Sequence, residues 1–537
     1  MEKKENLYKI KILTDGNEPS KPNTREVILT IIPDSWNDFS HHIRYNFVAK
    51  DINKKIFEGT LFLAMDSKSE PETKDYNSFF SMLPTMQDYR SLISLLGIEE
   101  ANIFLESIND IVHLQTGKAN STILDDIKNQ DIFKLAFMRN SESFFTFHNA
   151  VDILNGLDQE STNKISTSLE LKFKLDSFSN EHRFTFNFDL NSILPKRLCA
   201  IIGKNGIGKS QTLHNIVKKL LKKDENFIDP INGRPILNRL LAMATPGETR
   251  NTFPKEEKQN PLIHYKRLLL TRDSKARFSR GSGDFLVQLL RSSDSIKGKS
   301  RFTLFLKSLE EILGEEIDNL VVSINPDSEN IVPNHIEYIG SHAYIRVNKL
   351  NQFGGEQKKL EAWGSLSRNA KPSFIKNGNA YPLSSGQYAF YFFALQACLM
   401  IENGTLVLLD EPETHLHPNY ISSFVSLLDK LLELTGSIAI IATHSSYIIR
   451  ELPRSQVHVI KEENHEVNIN QPRLQTFGAD VGSISYFVFE DEITNRLIKR
   501  LKKPLKKNPE LFEEIKDELS LEAIMNLQRF LNENKSN

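Results

Sequence analysis

The run LCAIIGKNGIGKS at 198–210, followed by QTLHNIVKKLLKK, constrains this chain more than any other stretch. Its short apolar start predicts a buried strand, and the spacing after Ser210 predicts an amphipathic helix. Between them, Gly203, Lys204, Asn205, Gly206, Ile207, Gly208, Lys209 and Ser210 match GxxxxGK[ST] in the strand, loop, helix setting that this pattern needs. Glycines let backbone N–H groups turn inward around a phosphate, and the helix start, at Lys209, Ser210 and Gln211, adds partial positive charge. Lys209 supplies a point charge for the outer phosphates of a nucleotide. Ser210 supplies a hydroxyl for Mg²⁺. A strand feeding such a helix belongs to an α/β sheet.

Two more apolar runs, TLVLLD (405–410) and SIAIIAT (437–443), flank the amphipathic PNYISSFVSLLDKLLELTG (418–436), which predicts a βαβ crossover. The first run delivers Asp410 and Glu411 at its C-terminal end, where open α/β sheets hold their ligands. Behind a phosphate loop, Asp410 is placed to hold the Mg²⁺ shell and Glu411 to orient and deprotonate water. By itself such a pair is equally a solvated loop. After the second run, ATHSS puts His444 where it can meet a terminal phosphate. His415 and His417 have no other ligand cluster nearby and read as packing at a subunit contact.

Elsewhere, REVILTII (25–32) and GTLFLAMD (59–66) alternate like strands, and 89–114 has helical spacing, so an α+β region opens the chain. LELKFKLDSF and HRFTFNFDL predict antiparallel strands with one buried face. The stretch 221–380 reads as a compact insertion with one amphipathic helix at 301–320 and no sustained heptads, which excludes long coiled-coil arms. The expected organisation is an α+β extension at 1–165, the nucleotide-binding unit at 166–490 and a helical tail at 491–537. With 67 Lys+Arg against 69 Asp+Glu, no global field recruits nucleic acid or membrane. Cys199 and Cys398 both lie in apolar runs, which argues for buried packing in a reducing compartment; with no stretch apolar enough to span a membrane, a cytoplasmic location is expected.

LSSGQ at 383–387 precedes another apolar helix, and a helix cap needs only one of its serines. GKNGIGKS, LSSGQ, LLDEPETHLHP and ATHSS, in that order, resemble the ABC-type ATPases, and the DEPETHLHP form resembles the soluble branch containing RecF, Rad50 and OLD-like proteins. The resemblance implies an ABC-type head, with a P-loop sheet and an antiparallel β lobe, that binds ATP and Mg²⁺. It also implies that Ser384, Ser385, Gly386 and Gln387 close over nucleotide held by a partner copy, in a homodimer or higher even oligomer. One departure stands out: that family places a glutamine after the next strand, where this chain has Thr245, Pro246 and Gly247.

Over its full length the layout resembles the Septu-type antiphage defence ATPases (PtuA-like), including retron-encoded ones. That implies a companion HNH nuclease (PtuB-like) and, beside a retron, a reverse transcriptase with its RNA-DNA hybrid. A repair or structural clamp of the RecF or Rad50 kind, or a transporter ATPase subunit, would carry the same motifs. No nuclease site of its own is expected, because Glu513, Glu514, Asp517 and Glu518 have the spacing of a solvated helix face. Two basic stretches remain. The stretch 264–283 suits a phosphate-contacting arm or a solvated loop, and RLIKRLKKPLKK at 496–507 suits a docking helix, a nucleic-acid contact or packing on the body.

Overall fold

The alternating segments Ser168–Phe173 and His182–Asn187 pair antiparallel here, while Leu198–Gly203, Thr405–Asp410 and Ile438–Thr443, buried at every position, pair in a parallel sheet covered on both faces. The computed structural model describes residues 8–13, 26–31, 43–50, 56–65, 79–117, 121–154, 164–244, 252–256, 262–270, 281–292, 295–296, 299–324, 336–367, 371–489 and 496–535.

The first unit is a sheet of β1 (Lys9–Leu13), β2 (Glu26–Ile31), β3 (Arg44–Lys50), β4 (Ile56–Met65) and β5 (Phe79–Met82), in that order. Tyr45, Phe47 and Ala49 of β3 are buried while their neighbours are not, and with the helices of 86–154 they build a separate aromatic core around Tyr89, Phe104 and Phe137. The helical spacing of 89–114 is realised as three helices, Met86–Leu96, Ile98–Ser107 and Ile111–Leu114. Asp110 starts the third by accepting the N–H groups of Val112 and His113.

The second unit begins with β6 (Ser168–Phe173) and β7 (His182–Asn187), an antiparallel pair. Next come β8 (Leu198–Gly203), the short β9 (Phe227–Ile228), which joins the edge of β6, and β10 (Arg239–Ala244) and β11 (His264–Leu269). A small ribbon, β12 (Ser295–Ile296) and β13 (Lys299–Ser300), precedes a peripheral sheet of β14 (Leu320–Ile324), β15 (Ile336–Ile339), β16 (His342–Arg346), β17 (Ser373–Lys376) and β18 (Asn379–Pro382). The chain returns through β19 (Thr405–Asp410), β20 (Ile438–Thr443), β21 (Val457–Glu463) and β22 (Glu466–Asn470).

The main sheet runs β11-β10-β19-β20-β8-β21-β22, parallel except for β22. Strands β10 and β11 lie within 221–380, so that stretch feeds the main sheet as well as the peripheral one. Val407 and Leu409 of β19 pack into the core on one face, and Leu406 and Leu408 into the core on the other. The fold is α/β. The amphipathic stretch 301–320 is helical only to Leu313; Gly314, at φ 53°, turns it into a 3-10 segment, and Leu320 already belongs to β14.

The two units meet at the N-terminal ends of the central strands. A Cβ on Gly404, just before β19, would fall 2.1 Å from the Phe145 ring, so only glycine admits that ring. Nearby, the Arg234 guanidinium lies 4.6 Å from the centre of the Phe144 ring, and Ser141 donates its N–H to the Leu262 carbonyl at 2.8 Å. The tail forms its own small core from Leu505, Phe512, Ala523 and Leu527.

Candidate nucleotide site

Register across the central strands decides where the site lies. Ile202 of β8 pairs with Thr443 of β20, and Asp410 of β19 pairs with Ala442, so three strand ends converge on one edge. Strand β20 separates the strand ending in the glycine loop from the strand ending in Asp410. Around that edge Asn205, Gly206, Gly208, Lys209, Ser210, Gln211, Asp410, Glu411 and His444 line an open cavity of about 770 Å³. Gly206 and Gly208 hold φ of 80° and 103°, which keeps the loop folded back on itself at no cost in Cβ strain.

Lys209 opens the helix Lys209–Lys222 and is only 5% exposed. Its Nζ donates to the carbonyls of Gly203 and Lys204, both at 3.0 Å. Burial pushes its ammonium down to about 8, against the pull of Glu411, Asp410 and Glu413. An arriving phosphate would push it back up. Gly203, Lys204 and Ile207 shape the loop without lining the cavity; Ile207 is buried, and its carbonyl lies 3.4 Å from His182 Nε2.

Asp410 is 1% exposed. Ser210 Oγ donates to its Oδ1 at 3.0 Å and Thr252 Oγ1 to its Oδ2 at 2.7 Å. A hydroxyl facing a carboxylate is a set of hard oxygens, so the donors present fit Mg²⁺. Glu411 sits in the left-handed region at φ 48°, an uncommon backbone for a non-glycine residue, and its N–H donates to the Ala442 carbonyl. Its Oε1 lies 3.1 Å from His444 Nε2. Burial, reinforced by the Lys209 charge, pushes the His444 imidazole down to about 4, so the ring beside Glu411 is neutral near pH 7.

Two residues that motif reading passed over complete the arrangement. Glu413 Oε1 accepts from Thr443 Oγ1 at 2.6 Å and from the His444 N–H at 2.9 Å, which pins the loop carrying the imidazole to the turn carrying Glu411. Burial pushes its carboxyl above the usual range, and its Oε2 is buried without a hydrogen-bond partner among the described residues. The spacing of three acids in DEPE was the available signal. Thr252, 2% exposed, carries no signal at all in sequence. The positions where a glutamine is missing, Thr245 to Gly247, lie outside the described residues.

LSSGQ is split between two uses. Ser384 caps the helix Ser385–Met400 by accepting the Gln387 N–H, while Gln387 Oε1 accepts the Ser384 N–H at 2.9 Å. Gly386 is buried, and a Cβ there would lie 3.2 Å from ring carbons of Tyr420; Ser385 is exposed. None of the four lines the cavity. His417 caps the helix Pro418–Thr435 by accepting the Asn419 N–H at 3.3 Å; the His415 side chain lies outside the description. Glu513, Glu514, Asp517 and Glu518 are exposed, on a short helix and a 3-10 turn instead of one continuous helix.

The family described as "AAA domain, putative AbiEii toxin, Type IV TA system" matches residues 368–450, which hold LSSGQ, the acidic turn and His444. "Protein ea59" of Escherichia phage lambda is 24% identical over 518 residues, covering 92% of this chain and 90% of that protein. "Probable ABC transporter ATP-binding protein p29" of Mesomycoplasma hyorhinis is 23% identical over 287 residues, covering 53% and 83%. Among solved structures, the "SMC head domain from Thermotoga maritima" is 16% identical with a TM-score of 0.26, covering 57% of this chain and 99% of that one. The SmcHead bound to the C-winged helix domain of ScpA is 14% identical with a TM-score of 0.31, covering 57% and 97%. The glycine loop, the strand order and the matched segment together support an α/β ATPase head of the ABC type.

Proposed function

We propose that this chain binds ATP with Mg²⁺, closes head to tail on a second copy, and by its nucleotide state gates an associated HNH-type, PtuB-like nuclease in antiphage defence. Beside a retron it would also meet a reverse transcriptase with its RNA-DNA hybrid. The observation that carries the ATP reading is the convergence of Lys209, Ser210, Asp410, Glu411 and His444 on one cavity at the sheet edge. Lys209 and the inward N–H groups of the glycine loop bind and orient the phosphates. Ser210 and Asp410 would hold Mg²⁺, which when bound neutralises phosphate charge. Glu411 positions water and accepts its proton, while His444, whose ring lies beside that carboxylate, meets the terminal phosphate and holds the attacking water. The in-trans reading is supported by Ser385, which is exposed at a helix start away from the cavity of its own chain.

A repair or structural clamp of the RecF or Rad50 kind draws equal support from the head. A partner nuclease separates the two readings, so the tagged chain is purified and its companions identified. In the same preparation Lys209→Ala should lose ATP binding. Glu411→Gln should keep ATP and accumulate as dimer on size exclusion; undiminished hydrolysis in that variant would assign the base elsewhere. Mixing Lys209→Ala with Ser385→Glu subunits should return about a quarter of the wild-type hydrolysis, since half of randomly paired dimers carry one intact composite site. No return, with dimers present, would count against the in-trans arrangement. Cleavage of DNA or tRNA should need the co-purified nuclease. Cutting by the lone chain that disappears on changing Glu513, Glu514 and Asp517 would overturn that.

A further inference from the structure

The two basic stretches of this chain end up in different situations. In 264–270, the described part of the first, Arg267 Nη1 donates to the Phe253 carbonyl at 3.1 Å and its N–H donates to Glu256 at 2.8 Å, so this residue ties a loop to β11. Arg272, Lys275, Arg277 and Arg280 lie outside the described residues. The helix Arg496–Lys507 contains Arg496, Lys499, Arg500, Lys502, Lys503, Lys506 and Lys507 and no acidic residue. Of its apolar stripe, Leu505 is 1% exposed in the tail core and Leu501 packs against that core, while the Leu497 and Ile498 side chains lie outside the description. Lys502 Nζ lies 5.1 Å from the centre of the Phe530 ring. Arg500, Lys503, Lys506 and Lys507 are exposed, with no ion pair or hydrogen bond among the described residues.

We propose that these four cations form a contact for the phosphate backbone of nucleic acid. They lie within about 10 Å of helix rise, and a nucleic-acid strand presents a phosphate about every 3.4 Å of its own rise. A helix that lies on a membrane needs a free apolar face, and here Leu501 and Leu505 of that face are turned into the tail core. A protein partner is held chiefly by Trp, Tyr and Arg anchors buried at the centre of a contact, and between Arg500 and Lys507 the exposed side offers one arginine, no aromatic residue and Pro504 as its apolar group. Charge complementarity to a polyanion is what remains. The net charge of -2 for the whole chain does not reveal this helix, whose twelve residues hold seven cations and no acid.

The test uses the full chain without nucleotide, with anisotropy of a fluorescein-labelled duplex of about 30 base pairs and of a single strand of the same length, across a salt series. Wild type should bind with a steep salt dependence. R500Q/K503Q/K506Q/K507Q should bind at least tenfold more weakly at about 0.1 M salt and flatten the logarithmic salt slope on duplex by about three to four. The pair R500Q/K503Q should give about half that change, which keeps the test open if the fourfold variant melts early. L521A/M525A, at exposed apolar positions of the helix Leu521–Lys535, should change nothing. Unchanged affinity and slope in a correctly melting glutamine variant would overturn the proposal. So would loss of binding in L521A/M525A with the slope retained, or binding to phosphatidylserine vesicles as tight as to the duplex.

Discussion

Each unit of the chain buries an aspartate almost completely, and the two differ in what donates to it. In the N-terminal unit Asp110 is 0% exposed; its Oδ1 accepts backbone N–H groups of Val112 and His113, and its Oδ2 accepts the Tyr89 hydroxyl at 2.8 Å. In the nucleotide-binding unit, Asp410 takes hydroxyls from Ser210 and Thr252. A backbone N–H can only donate, whereas a hydroxyl keeps lone pairs that can turn to a cation. Burial of a carboxylate therefore does not separate site from scaffold, and neither does a single hydroxyl donor, since Tyr89 donates one to Asp110. What differs is that Asp110 also accepts two backbone N–H groups that hold it in a helix cap, whereas a side-chain hydroxyl donates to each oxygen of Asp410.

The largest expected effect falls on the active-site aspartate. Asp410→Asn should lower ATP hydrolysis at least about a hundredfold while leaving the melting temperature within a few degrees. An activity loss matched by a fall in melting temperature would place Asp410 with Asp110 as scaffold.

Next comes the reverse case. Asp110→Ala removes a helix cap and leaves a buried phenol unpaired, at a cost of about 2–4 kcal/mol by denaturant unfolding, with ATP affinity unchanged. Burial pushes the Asp110 carboxyl up to about 6. A raised folded-state value favours the protonated form in the fold, so its stabilisation is full below the unfolded value near 4 and is lost as pH rises through about 6. Asp110→Asn should remove this term, and the stability of wild type relative to it should fall between about pH 4 and about pH 6 and level off above. A constant difference across that range would show the carboxyl to be no different from a solvated one.

The smallest effect sharpens the comparison. Thr252→Val keeps shape but removes one donor to Asp410, and should raise the Mg²⁺ concentration for half-maximal binding of a fluorescent ATP analogue about fivefold, with Thr252→Ser restoring it. A variant that loses stability without moving the Mg²⁺ dependence would make the Thr252 hydroxyl a structural donor like Tyr89.

What could be recognised in the sequence was local. The glycine loop, the acidic pair after β19, His444 and LSSGQ each occupy a few consecutive residues whose order dictates their backbone, so the motif determines the strand ends and helix starts that carry it. The alternation of 169–173 and the unbroken apolar runs of β8, β19 and β20 likewise declared one-faced and two-faced burial, because side-chain period follows from the pleat. Tertiary structure decided what depends on distant pairing. It brought Thr252 to Asp410 across 158 positions, drew β10 and β11 out of a stretch that looks peripheral, and set Phe145 against Gly404. It also turned Leu501 and Leu505 of 496–507 into the core of the tail and left Arg500, Lys503, Lys506 and Lys507 outside. A stripe states only that a face must be covered; which surface covers it is settled by the rest of the chain competing for the same apolar area.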